Sequence, residues 1–348
     1  MRIAPSKIYL LVFIVGAFVV SYFVPMDQYV REIVLTIGIN IILAVSLNLV
    51  NGFTGQFSLG HAGFMAIGAY FSAAVTTFWA PRLFGSSVDL TGGVVAPLVF
   101  LCALLGGALL AAVAGLVIGI PSLRLRGDYL AIATLGFGEI IRVIIQNTEA
   151  VGGSRGFTVT YPYTTLFWGY FFAAITIYVV ANLVNSAYGR GFLAVRDDEV
   201  AAESIGVNTT KYKVIAFVLA AFFAGIAGGL YAHFKQYLHP DGFNFLKSIE
   251  VVVMVIMGGM GSNFGVITAA IFLSVLPEIL RFIPQLYERA AGIPLPHLID
   301  DLLKNRMLIY ALLLIALMLT RPQGIFGGGW RPAFLFKKKA ASADGTIA

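Results

Sequence analysis

The sequence predicts an all-α membrane protein, a polytopic helix bundle of about ten transmembrane or re-entrant segments with some helices broken in mid-span. Three observations predict it: the composition, uncharged runs too long for one crossing, and polar, glycine-rich interruptions inside those runs. Of the 348 residues 59% are hydrophobic and 11% charged, with a mean hydropathy of +0.89. A soluble domain carries about 25% charged residues. So much apolar surface has no place inside a water-solvated core, and the chain reads as multi-pass. The net charge of +6 fits loop orientation better than nucleic-acid binding, because Lys and Arg collect in cytoplasmic loops. Cys102 is the one cysteine, so no intrachain disulfide forms; it reads as a small buried hydrophobe.

The segments follow in order. The N-terminal MRIAPSKIYLLVFIVGAFVVSYFVP has the charge layout of a signal peptide but no small-x-small cleavage site, so it reads as a retained first span. Residues 33–81 then contain no Asp, Glu, Lys or Arg over 49 positions. As helix they would reach roughly 73 Å, against a hydrocarbon core of roughly 30 Å. They must double back, and the bend falls at NGFTGQFSLG, residues 51–60. Further spans are expected near 94–119, 129–147, 165–186, 214–236 and 306–320. The run 249–280 is interrupted by GGMGSNFG at 258–265 and reads as two short helices, a re-entrant pair. Five segments on each side of a 148–164 loop would give two halves of opposite orientation, without a visible internal repeat. With both termini in the cytoplasm, 13 Lys and Arg lie inside and 9 outside, leaving Arg142 within a span. Residues 1–330 then form one transmembrane domain, and 331–348 a basic, flexible cytoplasmic tail whose Lys337, Lys338 and Lys339 meet anionic headgroups at about 1 kcal/mol each.

Inside the membrane, Ser58, Gly60 and His61 follow the bend, and Gly258, Gly259 and Gly261 form the second interruption. A broken helix leaves amides and carbonyls unpaired, which is tolerated only against protein or a wet cavity. These residues are therefore candidates for lining a translocation path, the alternative being helix-packing kinks. Glu139 and Arg142 stand three residues apart in a span, where each alone would cost about 2.5–3.5 kcal/mol facing lipid, so they pair with one another. They are read either as a structural pair or as a path element. Glu139 counts as the lone carboxylate within a span, which argues against a proton relay. His233 and His239, beside Tyr231 and Tyr237, read as interfacial anchors rather than metal ligands, and no metal site is expected. Neither GGMGSNFG nor GGSRGF (152–157) contains the Gly-Lys-Ser/Thr of a phosphate-binding loop, and no nucleophile–base pair suggests an enzyme.

The charges gather elsewhere. Between Tyr188 and Lys213 lie eight charged residues. A capped helix is expected over about 196–207, with Asp197 and Asp198 at its N-terminus and Gly206 at its left-handed C-cap. Glu199 and Glu203 share one face, and Val200, Ala201, Ser204 and Ile205 the other. Asn208-Thr209-Thr210 starts the next membrane helix. The segment reads either as a solvated linker or as a docking helix whose small residues and glutamates meet a cytoplasmic partner.

EVAAESIG resembles the EAA-type coupling segment of ATP-binding-cassette (ABC) importer permeases, matching at Ala201-Ala202 and Gly206 and departing at Val200. GFTGQFSLGHAGFMAIGAY (52–70), PSLRLRGDYLAIATLGFGEIIRVI (121–144), VVVMVIMGGMGSNFGVITAAIF (251–272) and RPQGIFG (321–327) resemble the branched-chain amino acid permease family, M-type subunit. The resemblance covers roughly residues 35–327. It implies an ABC-type permease fold in a bacterial or archaeal inner membrane, paired with a second, different permease subunit. Two cytoplasmic ATPase subunits would carry the ATP and Mg, this chain holding no cofactor, and an extracytoplasmic binding protein would deliver a hydrophobic amino acid. Asp197, Asp198, Glu199, Ala201, Ala202, Glu203 and Gly206 would couple to the ATPases. Import of urea or short amides by the same architecture stays open, as does, more remotely, an ion-coupled secondary transporter.

Overall fold

The computed structural model describes residues 26–84, 95–123, 125 and 127–291, with isolated positions at 16–19, 21, 312, 315, 316, 319 and 320. The chain folds into the expected all-α bundle. In order come α1 (Gln28–Asn48), α2 (His61–Ala74), α3 (Val95–Ser122), α4 (Asp128–Gln146), α5 (Leu166–Asn185), α6 (Ala187–Asp197), α7 (Glu199–Ser204), α8 (Thr209–Lys235), α9 (Phe245–Gly258) and α10 (Asn263–Ala291). π-helical turns extend α1 over Leu49–Phe53 and α2 over Val75–Trp79. Among the described residues six helical stretches are long and apolar enough to cross a membrane: Gln28–Phe53, His61–Arg82, Val95–Ser122, Leu166–Asn185, Thr209–Lys235 and Asn263–Phe282. Two-residue strands β1 (Phe157–Thr158) and β2 (Tyr237–Leu238) pair antiparallel, Phe157 opposite Leu238. They join the α4–α5 connection to the end of α8.

Helix α8 forms the middle of the bundle because its sequence is small where neighbours must come close. Ala216, Ala220, Ala221, Ala224, Gly225, Ala227 and Gly228 are all buried. A methyl group on Gly68 of α2 would overlap the Gly225 backbone, and one on Gly107 of α3 would lie 2.8 Å from the Gly68 carbonyl oxygen. Three backbones therefore touch at one level. In a membrane, where burial of apolar side chains drives no helix association, such contact is a main source of packing energy. Around it sit Phe64, Met65, Phe100, Leu104, Phe217 and Leu230, all buried.

Several expectations change. The run after Gly258 is not a short helix, since α10 extends for 29 residues; α9, with 14, is the short member. The predicted helix over 196–207 is two elements. Asp197 closes α6, and Asp198, in an extended conformation (φ −158°), caps a six-residue α7. Cys102 is exposed on α3 rather than buried, so it faces whatever surrounds the bundle. His233 is no interfacial anchor, being fully buried, with Nδ1 2.9 Å from the Gly229 carbonyl, Nε2 3.0 Å from the Thr76 hydroxyl, and the Phe100 ring against it. The expected first span, the 306–320 span and the 331–348 tail lie outside the described residues, apart from the isolated positions.

Replacing Gly225 by Leu should force α2, α3 and α8 apart and lower stability by about 3 kcal/mol or more. The expected result is a large drop in the yield of monodisperse protein and in its Tm in detergent; a Tm equal to that of the unaltered protein would contradict the three-backbone contact.

Candidate functional site

The two interruptions read from the sequence meet in space. The first begins where the π turn Leu49–Phe53 ends; Thr54–Gly60 is non-helical and α2 starts at His61. The second is Gly259–Ser262, with Gly259 and Gly261 at φ +95° and +83°, a region that favours glycine. A methyl on Gly52 would overlap the amide nitrogen of Gly261, so the two breaks lie backbone against backbone. Asparagines stitch them together. Asn48 Oδ1 accepts from Gly261 N at 2.9 Å, and Asn48 Nδ2 donates to Asn263 Oδ1 at 3.1 Å. Asn51 Oδ1 accepts from Ser58 N at 3.2 Å. The amides freed by the break are thus met by side chains, as membrane depth demands.

Ser58, Gly60 and His61 sit on this seam. His61 Nε2 lies 2.9 Å from Ser46 Oγ, and the neighbouring Ala62 N donates to Ser248 Oγ of α9 at 3.1 Å. Leu59 N donates to Thr134 Oγ1 of α4 at 3.0 Å. Gly60 and Gly258 are close-packing positions. A methyl would come within 2.5 Å of the Thr134 carbonyl oxygen at Gly60, and within 2.5 Å of Val266 Cα at Gly258.

Glu139 and Arg142 form the expected i,i+3 pair at 2.7 Å, but they also reach across to the segment before α9. Arg142 Nη1 meets Asp241 at 3.0 Å, and Glu139 Oε1 accepts from Phe245 N at 3.2 Å. Sequence reasoning missed a second polar group on α9. Lys247 Nζ meets Glu250 at 3.0 Å and donates to Asn40 Oδ1 at 3.4 Å, and Asn40 Nδ2 donates to Ser274 Oγ at 2.8 Å. Glu139 is therefore not the lone carboxylate within the bundle, since Glu250 lies on α9 and Glu278, bonded to Tyr29, on α10. Among the described residues no three His, Cys, Asp or Glu side chains group as metal ligands.

At the end of the bundle carrying α6 and α7, the caps stand where the sequence placed them. Asp198 accepts from Val200 N and Ala201 N at 2.9 and 3.0 Å, Gly206 adopts φ +85°, and Asn208 accepts from Lys211 N to start α8. The glutamates and the aliphatic residues lie on opposite faces of α7, and the glutamates bond back to the chain. Glu199 turns back to pair with Lys213 at 2.6 Å, and Glu203 accepts from the Thr209 hydroxyl at 2.7 Å. Ala202 is buried against the chain itself. What α7 presents outward is Val200, 60% exposed, and Ile205, 78% exposed, together with Ala201, Glu203 and Ser204. The glutamates hold the helix down and the aliphatic residues face out.

Two cavities adjoin this end. One of about 440 Å³ is lined by Asn51, Gly52, Gly55, Phe57, Arg196 and Met260. The other, about 310 Å³, lies among Gln56, Gly127, Arg196, Asp198, Glu199 and Lys213. Arg196 borders both.

A polytopic bundle with two apposed helix breaks in the membrane and a fastened, outward-facing helix at one end defines a membrane permease subunit, a transport protein rather than an enzyme. The chain belongs to the family of branched-chain amino acid transport system permease components, whose family model matches residues 29–318. It is 34% identical to the high-affinity branched-chain amino acid transport system permease protein LivM of Escherichia coli (strain K12), over 88% of this chain and 72% of that one. It is 24% identical to the probable branched-chain amino acid transport permease protein LivM of Methanocaldococcus jannaschii, covering 85% of this chain and 92% of that one. A shorter likeness, 28% over 32% of this chain and 34% of the relative, links it to the autoinducer 2 import system permease protein LsrC of Salmonella typhi. No solved structure matches.

The Glu199–Lys213 pair is testable because the Lys213 side chain is only 7% exposed. Glu199→Ala should strand that ammonium and cost about 2–3 kcal/mol. Adding Lys213→Met should restore most of the loss, and Glu203→Ala should cost less than about 1 kcal/mol. Thermal unfolding of the four proteins in detergent checks the order; equal losses for the two glutamates would refute it.

Proposed function

We propose that this chain is one of two different permease subunits of an ATP-driven importer for branched-chain or other hydrophobic amino acids. It would work in the cytoplasmic membrane of a bacterium or archaeon with both termini in the cytoplasm. Two cytoplasmic ATPase subunits would bind and hydrolyse ATP with Mg, and an extracytoplasmic binding protein would deliver the substrate. The substrate class rests on the likeness to the branched-chain amino acid permeases named above. The path runs along the seam of the two breaks, past Ser58, His61, Gly259 and Gly261, with Gly60 and Gly258 holding the breaks in close contact. Glu139 and Arg142 brace the entrance of α9 through Asp241 and Phe245.

The observation that carries this reading is α7. A six-residue helix capped at Asp198, terminated at Gly206 and pinned by Glu199 to Lys213 is held in one orientation. Its exposed Val200 and Ile205 would be wasted on water, and an apolar outward face on a rigid support suits a protein partner. Asp197, Asp198, Glu199, Ala202, Glu203 and Gly206 then act in coupling by shaping and fastening the helix, while Ala201 shares the contact surface.

Val200→Glu with Ile205→Glu should lower co-purification of the ATPases at least about tenfold while leaving the Tm of the isolated chain unchanged. Undiminished co-purification would sink the docking role. In proteoliposomes the chain alone should take up no leucine under an ion gradient; sustained uptake would point to a secondary transporter.

A further inference from the structure

We propose that Arg196 is the positioning residue that links α7 to both helix breaks, so that displacement of α6 and α7 is passed directly to the mouth of the path. The proposal rests on the reading of α7 as the ATPase contact and assigns the residue through which that contact acts.

The geometry is a short chain of contacts. Asp198 caps α7. The preceding Asp197 holds Arg196, whose Nε and Nη2 both donate to Asp197 Oδ1, at 3.0 and 2.9 Å. The stem of Arg196 lies on the first break. A methyl on Gly55 would come 2.9 Å from Arg196 Cγ and 3.3 Å from its Cα, so the backbone of α6 rests on the backbone of the break with nothing between. The free edge of the guanidinium reaches the second break, Nη1 standing 3.3 Å from where a Gly261 Cβ would be. Both glycines have positive φ, +69° and +83°. Arg196 is thus a side chain that touches both breaks, as Asn48 does, and borders both cavities, as Phe57 does.

A surface ion pair between adjacent residues contributes little by itself, so pairing with Asp197 does not account for this placement. The first break carries a second, independent mark. Asn51 Nδ2 and both amide atoms of Gln56 are buried and have no hydrogen-bond partner among the described residues. Buried polar groups are nearly always paired, so these three atoms on either side of Gly55 are open to a partner beyond the described residues: water, a neighbouring subunit or substrate. Arg196 bears on the middle of that segment. When α6 and α7 are pulled from below, the Arg196 stem leaves Gly55, the guanidinium leaves Gly261, and the two cavities it divides become continuous.

The test uses the full complex of both permeases, ATPases and binding protein in liposomes with radiolabelled leucine, and reads leucine moved per ATP hydrolysed. For Arg196→Ala the ATPases should co-purify normally and hydrolysis should continue, while the ratio falls at least about tenfold, the size of a typical coupling between sites. An unchanged ratio overturns the proposal and leaves the docking reading standing; failure of the ATPases to associate with the unaltered chain removes both. A second measurement keeps Arg196. In a Cys102→Ser background, Met260→Cys lines the larger cavity, and its labelling rate by a thiol reagent from the ATPase side should differ between nucleotide-free and ATP-vanadate-trapped complexes. Equal rates in the two states overturn the proposal.

Discussion

The structure depends on one contact, the approach of three helix backbones at Gly68, Gly107 and Gly225. Glycine within a helix costs conformational entropy, and three at one level are a liability unless something uses the space. Here each leaves room for a neighbour's main chain. Dispersion contacts and weak Cα–H interactions gather where side chains would otherwise keep helices apart. Because α8 is locked between α2 and α3, the start of α2 is fixed in depth. The non-helical segment Thr54–Gly60 must then climb through the interior to reach it. The break in the first hairpin is a geometric result of where α8 holds α2.

That climb is tolerated because polar side chains meet the exposed main chain. Asn48 and Asn51 on α1 and its π turn, Ser248 on α9 and Thr134 on α4 each bond an amide that the broken helices leave open. The π turn, α4 and α9 thus converge on Ser58–Ala62 while α1 meets the second break at Gly261, and none of these bonds joins sequence neighbours. The same logic operates at α7 on a smaller scale, where Asp198, Gly206 and Asn208 satisfy the ends of helices too short to hold themselves.

What the sequence made legible was local chemistry. The bend at 51–60, the glycine interruption at 258–261, the aspartate cap, the left-handed Gly206 and the Asn208 start all depend on residues a few positions apart, and all appear in the structure. What it could not show was which side of an element faces its own protein. The sequence sets Glu199 and Glu203 among the contacts of a docking helix; Lys213 and Thr209, reached only after the chain turns into α8, bond them instead. His233 was misplaced for a similar reason, since Thr76 and Phe100 come from two other helices. The one signal that might have exposed the Lys247–Glu250 pair was its i,i+3 spacing at the head of an apolar helix, the same spacing that identified Glu139 and Arg142.

The shortness of α9 has a consequence for hydration. With 14 residues it rises only about 21 Å, less than the apolar thickness of a bilayer. The main chain at Gly259–Ser262 is therefore covered only in part by the first break, with Met260 open to the larger cavity. Neither break can part from the other unless water follows, so any opening of this seam floods both at once. A route along this seam, as proposed above, would gain its solvent in the same separation that opens it.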